Sequence, residues 1–337
     1  MNFMSSDLLR GSIITTRIRL ARNLVGQPFR IEREQDAKNA VKAVARALSG
    51  YDDFALYYIK NLSETELEAM KERHLISLNL MRNKEYGAVL VNSDESVSVM
   101  VNEEDVIREQ CFMKGLRLSE AFRKLQETDD RLGRALDIAY DEKYGYLTAC
   151  PTNLGTGMRA SVMLFLPALT ESGKIAELKK EMAEGGLTVR GLYGEGSAAE
   201  GYMYQISNER TLGISEEDIL GGVEDVTLKI CREERKEMER VYGKNELLTM
   251  DKAKKSFGVL TNAVMLSYNE FLSHVANVKL GAMLGMIGIT DVEGIDDLLV
   301  DVRPANLCVQ HGKELNAQGR DLFRAEIVGD RLLKLLD

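Results

Sequence analysis

Proline is scarce in this sequence, 4 in 337 residues, and with 28 glycines it falls far short of a low-complexity or collagen-like chain. Cysteine is equally sparse. Cys111, Cys150, Cys231 and Cys308 are scattered without a CxxC pair, which speaks against a disulfide framework or a protein zinc site. No apolar run approaches the roughly 20 residues that a membrane-crossing helix needs, so no membrane partner is expected. Met1 to Arg10 lack the basic, apolar and small-residue pattern of a signal peptide, which makes the cytoplasm the expected location. Positive charge is in the minority, 44 Lys and Arg against 53 Asp and Glu, for a net charge of −9. That balance disfavours nucleic acid as a partner and suits basic ones, including arginine-rich polypeptides. What is present is ordinary for a globular protein: 45% apolar and 29% charged residues, with a length that suggests about two domains.

The first 210 residues read as mixed α and β. Strands are expected at 12–20, 54–60, 86–92, 96–101, 145–149, 160–166, 187–192 and 202–208. Ser93-Asp94-Glu95 makes the third and fourth of these a hairpin. Ala37, Val41, Val44 and Leu48 recur at helical spacing over 33–49, with Gly50 after them. Hairpins outnumber βαβ units, which predicts an α+β fold with a largely antiparallel sheet flanked by helices. From Ser215 onward the periodicity is helical. A long helix runs to Gly243, a capping box opens another at Ser267, and a last helix covers about 317–336. The boundary between the α/β part and an all-helical C-terminal domain is expected near 240–250.

Four segments carry chemistry. Arg17 and Arg19 share one face of the first strand, a rigid charged pair suited to phosphate oxygens. Asn102-Glu103-Glu104-Asp105 follows a strand, with Arg108 three residues on; acids so placed can serve as bases or hold a metal through water. Residues 150–161, CPTNLGTGMRAS, form a tight glycine-bearing loop that can present N–H groups to an anion, with Arg159 entering the next strand. This is neither a Walker A motif nor a GxGxxG. Residues 190–201, RGLYGEGSAAEG, have four glycines in twelve, the composition of a loop that closes over a substrate, with Glu195 at its tip. Five arginines (17, 19, 108, 159 and 190) facing a polyphosphate, opposite Glu104 and Glu195 facing a cation, make a layout for phosphorylating a guanidinium.

These segments are similar, motif by motif, to the phosphagen (ATP:guanido) kinase family: TTRIRLARN at 15–23, HLIS at 74–77, NEED at 102–105 with Arg108, CPTNLGTGMRAS at 150–161, and RGLYGEGS at 190–197 leading to YQISN at 204–208. RDLFRA at 320–325 resembles the RDxxRA phosphoarginine-binding motif of the bacterial protein-arginine kinases, the McsB group within that family. The resemblance implies a guanido kinase catalytic domain over 10–242 and a helical C-terminal domain over 243–337 with the phosphoarginine motif. It implies ATP as phosphoryl donor, Mg²⁺ held by the nucleotide phosphates, and protein substrates engaged through arginine. It also implies phosphoarginine as a ligand with feedback on activity, a small zinc-binding activator, a Clp-type ATPase and protease downstream, and a homodimer.

Site residues follow from the same resemblance. The nucleotide-contacting positions fall on Thr15, Thr16, Arg17, Ile18, Arg19, His74, Arg108, Arg159, Ala160, Ser161, Val162 and Met163. They continue on the loop at Arg190, Gly191, Leu192, Tyr193, Gly194 and Glu195. Glu104 matches the catalytic carboxylate, Glu195 the second carboxylate, and Cys150 the reactive cysteine beside the guanidinium; Arg108 stands with them. Arg320, Asp321, Arg324 and Ala325 match the phosphoarginine motif. Three positions depart from the family: Val106 where His usually follows NEED, Thr15 for Ser, and Ala198 for Glu. Two other activities compete with protein-arginine phosphorylation, namely phosphorylation of a small free guanidino compound and weakly active phosphoarginine-binding regulation.

Overall fold

The computed structural model describes residues 11–29, 33–191 and 200–336. Its strands are β1 (Ile13–Arg22), β2 (Ala55–Tyr58), β3 (Ala88–Val91), β4 (Val97–Val101), β5 (Ile107–Lys114), β6 (Tyr140–Asp141), β7 (Gly145–Tyr146), β8 (Met158–Phe165), β9 (Leu187–Gly191) and β10 (Met203–Asn208). Eight of them form one sheet in the order β2-β3-β4-β5-β1-β8-β10-β9, while β6 and β7 pair separately. The pairs β2–β3, β3–β4, β4–β5 and β5–β1 are antiparallel, in line with the hairpin-rich pattern. By compactness the described chain forms two units. One holds 15–162 and 207–225; the other holds 11–14, 163–191, 200–206 and 226–336.

In the first unit, strand alternation sorts the side chains onto two faces. Ile18 and Leu20 on β1, Ile107 on β5, and Val99 and Val101 on β4 are buried on one face. Ile107, Val99 and Val101 pack with Ala37, Ala40, Val41 and Val44 of helix Glu34–Ala47, and with Leu132 of helix Leu118–Ala135. On the other face, Met100 and Val89 are covered by Ile59, Leu67, Leu75 and Leu80. The register places Arg17 opposite Phe112, Arg19 opposite Gln110, and Ala21 opposite Arg108. Directly opposed residues share a face, so this second face changes from apolar over β3 and β4 to polar over β5 and β1.

Two expectations change here. Residues 107–114 are not among the strands expected from the sequence, yet they form β5, between β4 and β1. Charge masked the alternation: Glu109 and Gln110 are fully buried polar residues in this strand. The strand expected at 145–149 is only Gly145–Tyr146.

The second unit is mostly helical. Helices Glu246–Asn262, Tyr268–Met283, Val292–Asp301, Pro304–His311 and Ala317–Lys334 contribute to a core that includes Leu260, Phe271, Val275, Leu298 and Val328. Ser267 closes the expected capping box: Glu270 N–H donates to its hydroxyl, and Glu270 Oε2 accepts from Ser267 N–H. Gly281 lets two helices approach closely, since a Cβ there would lie 2.6 Å from that of Ala253.

Candidate active site

The polar face of β1 and β5 gathers arginines. Arg17 donates to Gln110 Oε1 at 2.6 Å and lies over the Phe112 ring at 4.9 Å. The Nε atoms of Arg17 and Arg19 are buried without a hydrogen-bond partner. Burial and the charge of Arg108 pull the Arg17 guanidinium down to about 9, with Glu103 offsetting only part of this. Arg19 is pushed well below its ordinary value by burial and then by Arg17, Arg108 and Arg159. Arg17 and Arg19 are therefore desolvated and repelled by neighbouring arginines, Arg108 acting on both and Arg159 on Arg19. Such a cluster is relieved by a multiply charged anion, and guanidinium forks match phosphate oxygens.

A second group borders them. His74 stacks on Phe112 with ring centroids 5.6 Å apart. Its backbone holds a left-handed φ of 64°, and its carbonyl accepts from Gln110 Nε2 at 2.6 Å. Ser77 donates to Glu103 Oε1 at 2.5 Å, while Glu103 Oε2 accepts from Arg108 at 2.9 Å and from Glu104 N–H at 2.7 Å. Although burial pushes the Glu103 carboxyl upward, Arg108 and these hydrogen bonds hold it below the ordinary range. Glu103 is thus the fixed counter-charge of Arg108, and Glu104 is left free of that task. The Glu104 side chain is 40% exposed and lies 3.8 Å from Arg108. Burial, followed by Glu103 and Asp105, raises its carboxyl above the ordinary value against the pull of Arg108. A partly open carboxylate of raised basicity is suited to accept a proton.

Cys150 is half-buried, with Sγ 3.0 Å from Thr152 Oγ1. The glycines after it serve packing more than anion binding. A Cβ on Gly155 would meet Thr211 O at 2.2 Å, and one on Gly157 would meet Ala21 O at 2.6 Å, both at left-handed φ. The N–H groups of Gly155, Thr156 and Met158 are hydrogen-bonded within the fold, so they do not form the cradle suggested by the glycine pattern. Ile18, Ala160 and Val162 have fully buried side chains on interior strands of the sheet, Ala160 N–H donates to Asn208 Oδ1, and Ser161 Oγ donates to Arg17 O. Thr16 Oγ1 donates to Gly115 O at 2.6 Å, and Thr15 lies opposite Lys114. Val106 is fully buried among Val101, Ile107 and Leu132, so an apolar side chain suits this position.

Met163, Arg190 and Gly191 belong to the other unit, Met163 half-buried against its helical core and Arg190 exposed at the end of β9. Leu192, Tyr193, Gly194 and Glu195 lie outside the described residues. Sequence reasoning had missed Gln110, Phe112, Ser77 and the structural role of Glu103. For Gln110 and Phe112 the signal is the alternation of β5, hidden by its charges.

The RDLFRA segment begins the second turn of helix Ala317–Lys334. Arg320 donates to Leu315 O at 2.7 Å. Arg324 is 1% exposed; its Nε donates to Val302 O, and Nη1 donates to Leu266 O and to Asp321 Oδ1. Arg324 is thus a buried clamp whose side-chain partner is Asp321, while Arg320 is tied to a backbone carbonyl. Ala325 is buried in the core. Arg324→Ala should therefore destabilise the protein by about 3 kcal/mol, since it strands a carboxylate and two carbonyls. Arg320→Ala should cost about 1 kcal/mol. Thermal unfolding of the two single variants checks this, and equal losses would contradict it.

Comparison with known proteins gives matches along nearly the whole chain. Residues 36–237 match the model of the ATP:guanido phosphotransferase C-terminal catalytic domain, and residues 246–336 match the protein-arginine kinase McsB C-terminal domain. The chain is 40% identical over 328 residues to the protein-arginine kinase of Caldanaerobacter subterraneus subsp. tengcongensis, covering 96% of this chain and 97% of that one. It is 42% identical over 326 residues to that of Halothermothrix orenii, covering 96% and 93%. Among solved structures, the duplicated taurocyamine kinase of Schistosoma mansoni with bound transition-state-analog components superposes with a TM-score of 0.60 at 29% identity. That match covers 66% of this chain and 33% of that one. A lombricine kinase, at TM-score 0.59 and 24% identity over 67% of both chains, shares the fold.

Proposed function

The chain belongs to the ATP:guanido phosphotransferase family and, within it, to the protein-arginine kinases, and from this we propose that it transfers the γ-phosphoryl group of ATP to arginine side chains of proteins. The observation that carries the reading is the desolvated pair Arg17 and Arg19, repelled by Arg108 and Arg159, on the same unit as the raised carboxylate of Glu104. The arginines hold the triphosphate and offset charge on the transferring group. The His74–Phe112 stack offers the base a flat apolar surface. The family resemblance also assigns nucleotide contacts to Thr15, Thr16, Ile18 and Ala160 to Met163, and to Arg190 through Glu195.

Free guanidinium is a poor nucleophile because it is protonated, with a pKa of about 12.5–13.8. Glu104 orients it and accepts one nitrogen-bound proton as that nitrogen bonds to the γ-phosphorus and the bond to the ADP oxygen breaks. Glu195 holds a second nitrogen, and Cys150 lies beside the same group. Alignment of nitrogen and phosphorus supplies much of the acceleration, up to ~7–11 kcal/mol in favourable intramolecular cases. Among the described residues no cluster of three or more His, Cys, Asp or Glu is placed to hold a metal ion. Any Mg²⁺ would ride on the phosphates and water, where it lowers their negative charge.

The finer assignments rest on the family resemblance. We assign residues 10–242 to catalysis and 243–337 to the helical part, with Arg320, Asp321, Arg324 and Ala325 as its phosphoarginine motif. A homodimer, a zinc-binding activator, delivery of the product to a Clp-type protease and a cytoplasmic location complete the proposal. Among the described residues no helix is long and apolar enough to cross a membrane. The test is incubation with ATP and either free arginine or an arginine-rich protein, followed by mass spectrometry under conditions that spare the acid-labile N–P bond. Phosphoarginine in the protein is expected; ATP consumption with free arginine alone would overturn the reading.

A further inference from the structure

Asp105 and Asn23 stand one residue beyond features already discussed and touch neither arginine cluster nor solvent. Both are fully buried. Asp105 Oδ1 accepts two hydrogen bonds, from Ala149 N–H at 2.6 Å and from Asn23 Nδ2 at 2.7 Å. Asn23 Nδ2 also donates to Leu147 O at 3.0 Å, and Asn23 Oδ1 accepts from Val106 N–H at 2.9 Å. The backbone carbonyl of Asn23 accepts from Ala139 N–H at 2.8 Å. Three segments meet here: the end of β1, the turn 102–106 and the stretch 147–149. The turn is itself held, with Asn102 at a left-handed φ of 61° and its side-chain amide donating to Ala37 O and Tyr86 O.

The bond from Ala149 N–H to Asp105 lies one residue from a reactive side chain at each end. Asp105 follows Glu104, and Ala149 precedes Cys150. We propose that Asp105, braced by Asn23, is a positioning residue that sets the placement of Glu104 relative to Cys150, and through it the orientation of the guanidinium to be phosphorylated. Asp105 Oδ1 makes both bonds while Oδ2 is buried without a partner. The work is therefore that of one acceptor oxygen, which an asparagine at 105 supplies equally well. Neither bond requires the negative charge.

This inference rests on the assignment of Glu104 and Cys150 to the guanidinium site, so the experiment runs Glu104→Gln in parallel. Asp105→Ala should lower kcat for protein-arginine phosphorylation by about 100-fold, the scale of a misplacement of about 1 Å. ATP affinity should stay within a few-fold of the parent, because the arginines are held by other contacts. The rate of Cys150 alkylation should change with it; the other three cysteines are buried. Asp105→Asn should restore kcat and the alkylation rate to within a few-fold of the parent. A loss in Asp105→Asn as deep as in Asp105→Ala would mean that the charge acts on the reacting groups, and would overturn the proposal. Parental kcat in Asp105→Ala would overturn it too. If Asp105→Ala gives no folded protein, Asn23→Ser takes its place: it removes the donor to Asp105 and is expected to show the same selective loss of kcat, and unchanged kcat would overturn the proposal. Parental activity in Glu104→Gln would instead sink the underlying site assignment, whatever the Asp105 variants do.

Discussion

Glu104→Gln is expected to abolish most turnover, by about 10²–10⁴-fold, the range a positioned general base contributes, while ATP binding persists. The amide keeps the size of the side chain and can still accept a hydrogen bond, but it cannot take the proton that must leave the guanidinium. The structure sharpens this expectation by separating two neighbouring acids. Glu103 is buried and spent on Arg108, Ser77 and the Glu104 N–H. Glu104 makes only a 3.8 Å approach to Arg108 and has its carboxyl raised by burial and by the acids beside it. Glu103→Gln should accordingly act through Arg108 and weaken nucleotide binding. Single-turnover assays with separate measurement of ATP affinity distinguish the two. Glu104→Gln turnover within a factor of a few of the parent would remove Glu104 from the mechanism.

Arg19→Met should weaken ATP binding by about 10- to 150-fold and at the same time raise the melting temperature of the nucleotide-free protein. One charge-assisted hydrogen bond is worth roughly 1.5–3 kcal/mol, which sets the loss. The stability gain follows from the cluster itself. Arg19 is desolvated and repelled by Arg17, Arg108 and Arg159, and its Nε finds no partner. Methionine keeps an apolar stem of similar length and removes the buried charge. The nucleotide reverses the order, because a ligand that binds only the folded state stabilises it in proportion to ln(1 + [L]/Kd). Arg19→Lys should rescue ATP affinity poorly, since an ammonium lacks the planar fork. Calorimetry and thermal unfolding with and without ATP decide this. Unchanged affinity, or a lower melting temperature without nucleotide, would mean that the cluster is neither strained nor the phosphate site.

Arg17 and Arg19 were legible as a pair because strand periodicity is local: two residues apart on β1 is one face, whatever packs against it. The capping box at Ser267, the hairpin of β3 and β4, and the long helix after Ser215 are equally local, and all three are present. Composition and ordered motifs sufficed for the family, since each motif needs only its own few residues to be recognised. β5 was not legible. Its eight residues include Arg108, Glu109, Gln110 and Lys114, and a buried polar residue becomes acceptable only when partners from distant segments satisfy it. Gln110 finds His74 O, Leu75 O and Ser98 Oγ. That pairing decides where Arg108 stands, opposite Ala21 on the face that carries Arg17 and Arg19.

The same reason separates the two glutamates of NEED, identical in sequence signal and divided only by which one Arg108 and Ser77 reach. It governs Arg324 as well: helical spacing put it on one face with Arg320, but whether that face meets solvent or the carbonyls of Val302 and Leu266 depends on chain 22 and 58 residues away. The sequence by itself determined most of the elements, the family and the list of chemical groups, because these are set by local periodicity and residue type. Only the tertiary structure decided which charges lost water together, and desolvation is what turns a set of arginines and carboxylates into a site.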